Sequence, residues 1–153
     1  MRMDDVTDGS NIDAIISRSF SAPVGTVFNQ WTSVDGLRAW FAPDGFMVTF
    51  CETSAAVGGS WQVELRSEDG EVYLEYGEYR EISRPDRLVF TLTQAHNAEI
   101  GPRTTVTVDF SDKASHTEIA FLQEGFESVE RRDDNVEGWN ECFNKLEASL
   151  ASD

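Results

Sequence analysis

Along most of this chain apolar residues recur at every second position; near its beginning and at its end they recur every third or fourth. Ile12 to Phe20 alternates imperfectly and predicts a first strand. Pro23 falls where a helix can begin, because its fixed φ and missing N–H cost nothing in a first turn. Val24, Val27, Phe28 and Trp31 follow at helical spacing. Ser33 is an N-cap candidate for a second short helix carrying Val34, Leu37, Trp40 and Phe41 on one face, and Pro43-Asp44-Gly45 ends it.

From Phe46 the period becomes two. Phe46 to Cys51 predicts a strand, and Gly58-Gly59 introduces another, in which Trp61, Val63 and Leu65 alternate with polar neighbours to leave one wet face. Glu68-Asp69-Gly70 is a hairpin turn signal. Val72 to Ile82 predicts a long strand in which Gly77 marks a bulge or bend. Beyond Arg84-Pro85-Asp86, Leu88, Phe90 and Leu92 alternate with Val89, Thr91 and Thr93. Gln94 to Pro102 predicts a polar connection, Val106, Val108 and Phe110 the next strand, and Thr117 to Leu122 the last, giving about seven strands joined mostly by hairpins. Finally Val129, Val136, Trp139, Phe143, Leu146 and Leu150 form one apolar stripe on an otherwise charged helix. The only surface large enough to bury that stripe is the sheet, so the fold class is α+β: a curved antiparallel sheet with a long C-terminal helix across one face.

Length and charge narrow the picture. At 153 residues the expectation is one domain over 11–153, preceded by a polar tail over 1–10. The 28 acidic residues against 12 Lys+Arg give a net charge of −16, which argues against a nucleic-acid partner. No apolar run reaches the length of a membrane span, and Met1 to Asp13 lacks the basic start and apolar stretch of a secretory signal; a cytoplasmic protein without a membrane partner is the expectation. Cys51 and Cys142 are far apart and form no CxxC pair, and with only His96 and His116 to help them they predict no metal site.

Several ordered features resemble a known family. Ala22-Pro23, Val27, Trp31-Thr32, Leu37 and Trp40-Phe41 are similar to the opening signature of the AHSA1-like branch of the START/Bet v 1-like (SRPBCC) superfamily. Gly58-Gly59, Gly77 to Ile82, Pro85 to Val89, Thr117, Gly125-Phe126, Gly138-Trp139, Leu146 and Leu150 continue the pattern, so the likeness spans roughly residues 12–151. The family often has an Arg shortly before the Gly-Gly, where this chain has Ala55-Ala56-Val57. The resemblance implies the helix-grip fold, in which a seven-stranded antiparallel sheet wraps the C-terminal helix and two short helices follow the first strand. It also implies a cavity between sheet and helix that takes a small apolar or amphipathic molecule; no cofactor is expected.

On that reading the pocket-lining residues are Trp40, Trp61, Val63, Tyr79, Phe90, Leu92, Val106, Phe121, Trp139 and Phe143, although each of them can equally be plain core. Arg18 and Arg80 are candidates for a polar contact, since a guanidinium grips a carboxylate through two bonds. Trp40 and Phe41 either plug the end of the barrel or gate its mouth. Glu64, Glu75, Glu78 and Glu118 lie in strands, where alternation places them inside or outside. The chain contains no GxSxG, HExxH, P-loop or GxGxxG motif, so no catalytic residue is assigned. Two alternatives stay open: an enzyme of cyclase or hydrolase type using the same cavity, and a protein-interaction module linked to a chaperone. Monomer and homodimer are both open.

Overall fold

Proline, serine and the change of period act where the chemistry of the sequence puts them. In the computed structural model, which describes residues 12–151, strand β1 (Ala14–Phe20) leads through Pro23 into α1 (Val24–Gln30). Ser33 caps α2 (Val34–Trp40), its hydroxyl accepting the Gly36 N–H at 3.1 Å. Strands β2 (Phe46–Thr53), β3 (Ser60–Ser67), β4 (Val72–Ser83), β5 (Arg87–His96), β6 (Glu99–Ile100), β7 (Thr104–Asp112) and β8 (Thr117–Glu124) follow, and α3 (Val129–Ala151) closes the chain. The tail expected over 1–10 lies outside the described residues.

All the strand pairings are antiparallel. The order across the sheet is β1-β8-β7-β5-β4-β3-β2, with β6 pairing back onto β5. The Gln94 to Pro102 segment is therefore not a simple loop. Gln94, Ala95 and His96 prolong β5, and Ala95 and His96 pair with Ile100 and Glu99 to add an eighth, two-residue strand. At Gly70, φ is +90° and the N–H donates to the Ser67 carbonyl, which closes the β3–β4 hairpin. Gly77 is not itself the bulge; the register shift falls further on, between Tyr79 and Glu81.

α3 buries Trp139, Cys142, Phe143, Leu146 and Leu150 against the concave side of the sheet and against α2. This is the helix-grip arrangement. The space inside the grip is filled by aromatic rings: Trp31 lies 4.6 Å from Trp40, Phe121 lies 4.7 Å from Trp139, and Phe143 touches Phe20, Trp31 and Trp40 edge-on or tilted. The void left between Trp31, Leu37, Phe41, Trp61, Tyr79 and Phe90 is about 10 Å3, room for one water at most.

One buried polar chain crosses this core. The Trp139 Nε1–H donates to Gln123 Oε1 at 2.8 Å, Gln123 Nε2 donates to Thr104 Oγ1 at 2.9 Å, and the Thr104 hydroxyl donates to the Leu92 carbonyl at 2.7 Å. It ties α3 to β8, β7 and β5, and Gln123 and Thr104 are both buried. Thr104→Val keeps the shape but removes the hydroxyl donor to the Leu92 carbonyl and the acceptor of the Gln123 amide. The expected loss is about 2 kcal/mol in urea unfolding, with an unchanged denaturant slope. A loss below about 0.5 kcal/mol would show that the chain adds nothing to stability.

Candidate ligand-binding cleft

Antiparallel register decides which side chains share a face, and it brings a polar group onto the inner side of the sheet. Val63 pairs with Glu75, and Glu75 with Gln94; one step on, Leu65 pairs with Tyr73, and Tyr73 with His96. Directly opposed residues point to the same side. Tyr73, Glu75, Gln94 and His96 therefore continue the surface that Val63, Leu65, Phe90 and Leu92 present to α3. Here the grip is open. A cleft of about 780 Å3 runs between this patch and the N-terminal half of α3, bounded by the Pro43-Asp44 turn on one side and β6 with Gly101 on the other. At its inner end a recess of about 150 Å3 is floored by Phe41, Leu65, Trp139 and Cys142.

Glu75 stands where the polar wall meets this apolar floor. Gln94 Nε2 donates to Glu75 Oε2 at 2.6 Å, while Oε1 has no protein donor among the described residues. Desolvation by the surrounding protein pushes the carboxyl up to about 7, against the lowering effect of the Gln94 hydrogen bond. His96 lies flat on the Tyr73 ring, with centroids 4.0 Å apart, and Phe46 meets Tyr73 edge-on. His96 Nδ1 lies 3.0 Å from the Val72 carbonyl and Nε2 is 3.0 Å from Glu71, so both ring nitrogens are engaged. Around the rim stand Asp44, Glu99, Glu127, Asp134, Glu137 and Glu141; Arg131 is the one Arg or Lys of the lining. Glu141 accepts the Asp44 N–H at 3.0 Å and Lys145 donates to the Pro43 and Phe46 carbonyls, which pins the turn to α3.

The residues expected to line a pocket divide in two. Leu92 and Trp139 border recesses of the cleft. Trp40, Trp61, Val63, Tyr79, Phe90, Val106, Phe121 and Phe143 are buried in the core, where Trp61, Tyr79 and Phe90 surround the 10 Å3 void. Polar ends among them are bonded to protein: Trp40 Nε1 to the Gln30 carbonyl, Trp61 Nε1 to the Thr91 carbonyl, and the Tyr79 hydroxyl to Thr53 Oγ1. Phe41 packs between Trp61 and Trp139 and closes the recess from below. The two arginines lie elsewhere. Arg18 donates to Asn144 Oδ1 on α3 and to the Asn140 carbonyl, and Arg80 is half exposed beside Glu78.

Of Glu64, Glu75, Glu78 and Glu118, only Glu75 reaches the cleft. Glu64 accepts from Thr49, Glu78 faces Arg80 in solvent, and Glu118 sits 3.5 Å from His116 on the outer surface. Burial also raises the Cys142 and Cys51 thiols and the Tyr79 phenol, so none of these is a ready nucleophile or base at neutral pH. Glu75, Gln94 and Tyr73 are not among the contacts expected from the sequence, yet their signal is present there. Glu75 is in phase with Tyr73 and Tyr79, and Gln94 is in phase with Leu88, Phe90 and Leu92.

The grip of an antiparallel sheet on a C-terminal helix, opened by a cleft at one end, defines a START/Bet v 1-like domain. The model of the family described as activator of Hsp90 ATPase homolog 1-like protein matches residues 21–151, and the chain belongs to that family. Solved structures agree in fold. A protein from Chromobacterium violaceum superimposes with a TM-score of 0.81 at 22% identity, covering 90% of this chain and 96% of its own. A protein from Arthrobacter aurescens gives 0.81 at 24% identity, covering 96% and 90%. The AHSA1 protein from Silicibacter pomeroyi gives 0.80 at 20% identity, covering 91% and 97%. At these identities the likeness shows the fold alone. No curated protein matches the chain.

Proposed function

We propose that this protein is a cytoplasmic binding domain that holds a small amphipathic molecule in the cleft between the β3–β5 surface and α3. One observation carries the reading: an apolar recess of about 150 Å3 opens into a larger polar cleft of about 780 Å3, so one face offers burial and the other offers hydrogen bonds. Volumes of this order suit a molecule of one or two rings with a polar end. Burial of its apolar part supplies about 25 cal/mol per Å2, against which ordering costs are set. Two buried free thiols fit a reducing compartment, and no helix among the described residues is long and apolar enough to cross a membrane.

The test is an amide NMR titration with naphthalenemethanol, a neutral two-ring alcohol. Saturable shifts are expected at Gly101, Gly138 and the Gln94 side-chain amide. Gly138 lies on α3 with only Pro43 at 4.0 Å from an added Cβ, so Gly138→Leu fills the cleft without a backbone clash. That variant is expected to keep the parent melting temperature to within a few degrees and to lose the titration. Shifts that stay outside the cleft, or survive Gly138→Leu, overturn the reading. A second reading is favoured by Glu75, a carboxyl titrating near neutrality beside an open cleft: general acid–base catalysis on the bound molecule.

A further inference from the structure

The charge and shape of the cleft narrow the class of molecule it takes. The recess supplies aromatic and aliphatic surface from Phe41, Leu65 and Trp139. Directly above it, Glu75 presents Oε1, the carboxylate oxygen that Gln94 leaves unbonded. Six further carboxylates stand around the mouth, against the single guanidinium of Arg131. Among the described residues no group of three His, Cys, Asp or Glu converges closely enough to chelate a metal ion. The carboxylates therefore encircle the opening without meeting at a point, an arrangement that suits a diffuse organic cation better than a small hard one. An anionic ligand would set its charge against Glu75 and the rim together. A neutral one could donate a hydroxyl or N–H to Oε1, but it would leave the carboxylate's charge uncompensated once the cleft is dry, which costs free energy.

Resting on the reading of the cleft as a binding site, we propose that its ligand is an amphipathic cation: an ammonium group that donates to Glu75 Oε1, carried on an apolar body that fills the Phe41, Leu65 and Trp139 recess. The Tyr73 ring, stacked on His96, stands beside Glu75 on the same strand face and lines the same cleft. Field lines from the rim raise the local concentration of cations and speed their arrival. The carboxylate at the floor then selects among them.

The experiment compares three molecules of one shape and different charge: protonated naphthylmethylamine, naphthalenemethanol and naphthoate. Affinities are measured by calorimetry at pH 8 and physiological salt, where general surface attraction is screened beyond about 8 Å. The ammonium compound is expected to bind at least ten-fold more tightly than the alcohol, and naphthoate more weakly than either. Glu75→Gln is expected to lower the affinity for the ammonium compound about ten-fold while leaving that for the alcohol within two-fold. Glu118→Gln removes one charge from the outer surface and is expected to change neither. Equal affinities for ammonium and alcohol overturn the cation proposal and leave the cleft reading standing. Equal losses in the Glu75 and Glu118 variants show surface attraction only, and also overturn it. If none of the three compounds binds, the cleft reading fails as well.

Discussion

Gly77→Ala is expected to lower the melting temperature by roughly 10 °C, since its added Cβ would meet the shortest contact of any glycine among the described residues. An ideal Cβ at that position would lie 1.8 Å from the Thr91 carbonyl oxygen and 2.6 Å from its carbon, both of them backbone atoms that cannot rotate away. β4 and β5 form no ladder pair between Tyr76↔Thr93 and Tyr79↔Phe90, and the gap is closed by groups converging on Thr91. Its carbonyl accepts the Trp61 indole N–H at 3.0 Å and its hydroxyl accepts the Glu78 N–H at 2.9 Å. A methyl group pushes Thr91 outward, adding overpacking of about 1–3 kcal/mol to the cost of a buried indole left without its acceptor, about 1–3 kcal/mol more. At about 2–4 °C per kcal/mol for a domain of this size, the shift follows. Gly25→Ala is the control. Nothing lies within 4 Å of its added Cβ, and alanine favours the helix, so that variant is expected to melt at or above the parent temperature. Circular dichroism melts of the two variants check the argument; a Gly77 variant as stable as the parent would refute the close approach.

The same strand shows what the sequence made legible and where it stopped. Gly77 in a long alternating run signals a bulge or bend, whereas in the structure it serves a close approach to the Thr91 backbone and the register shifts two residues further on. The elements themselves followed from periodicity, since the stripe of α3 and the alternation of Trp61, Val63 and Leu65 each admit only one buried face. The site was harder. Phe90, Phe121 and Phe143 were expected to surround a ligand space, but whether large rings enclose a void or interlock depends on three-dimensional packing that spacing does not contain. The polar end of the same face was readable in principle. Gln94 and His96 keep the inward phase of Leu88, Phe90 and Leu92; they looked like a loop because their polarity resembled that of the Asn97 turn beyond. Glu75 keeps the phase of Tyr73 and Tyr79, and only the cross-strand register, set over dozens of residues, fixes which way that phase points.

Glu75→Gln is expected to stabilise the protein at pH 8 by about 3 kcal/mol relative to the parent and by almost nothing at pH 4.5. The carboxyl titrates at about 7 in the folded chain, against an ordinary value of 4.5. Below pH 4.5 it is protonated in both states and contributes no pH dependence. Between 4.5 and 7 the unfolded chain ionises while the folded chain stays neutral, so unfolding releases a proton and stability falls as pH rises. Above 7 both states are ionised and the full penalty remains, about 3 kcal/mol for a shift of this size. The side chains around Glu75 sustain that penalty. Leu65, Trp139 and the neutral Cys142 desolvate it, Asp44, Asp134, Glu137 and Glu141 add no positive charge, and His96 is committed to Glu71 and Val72. Arg131 on the rim and Lys145, held by the Pro43 and Phe46 carbonyls, do not offset the desolvation. The Gln94 amide favours the ionised form, and in the Glu75→Gln variant it donates to the new side-chain amide oxygen instead. Urea unfolding of both proteins at pH 4.5, 6 and 8 checks this; a difference that does not grow with pH would place Glu75 in water. A carboxyl held at such a cost, in a position where glutamine would serve stability better, is what a binding site retains and a core discards. A bound cation would lower the Glu75 pKa toward its ordinary value. Affinity for naphthylmethylamine is therefore expected to rise from pH 5.5 to pH 8 in the parent and to stay flat in Glu75→Gln, which joins the stability of the fold to the chemistry of its cleft through one proton.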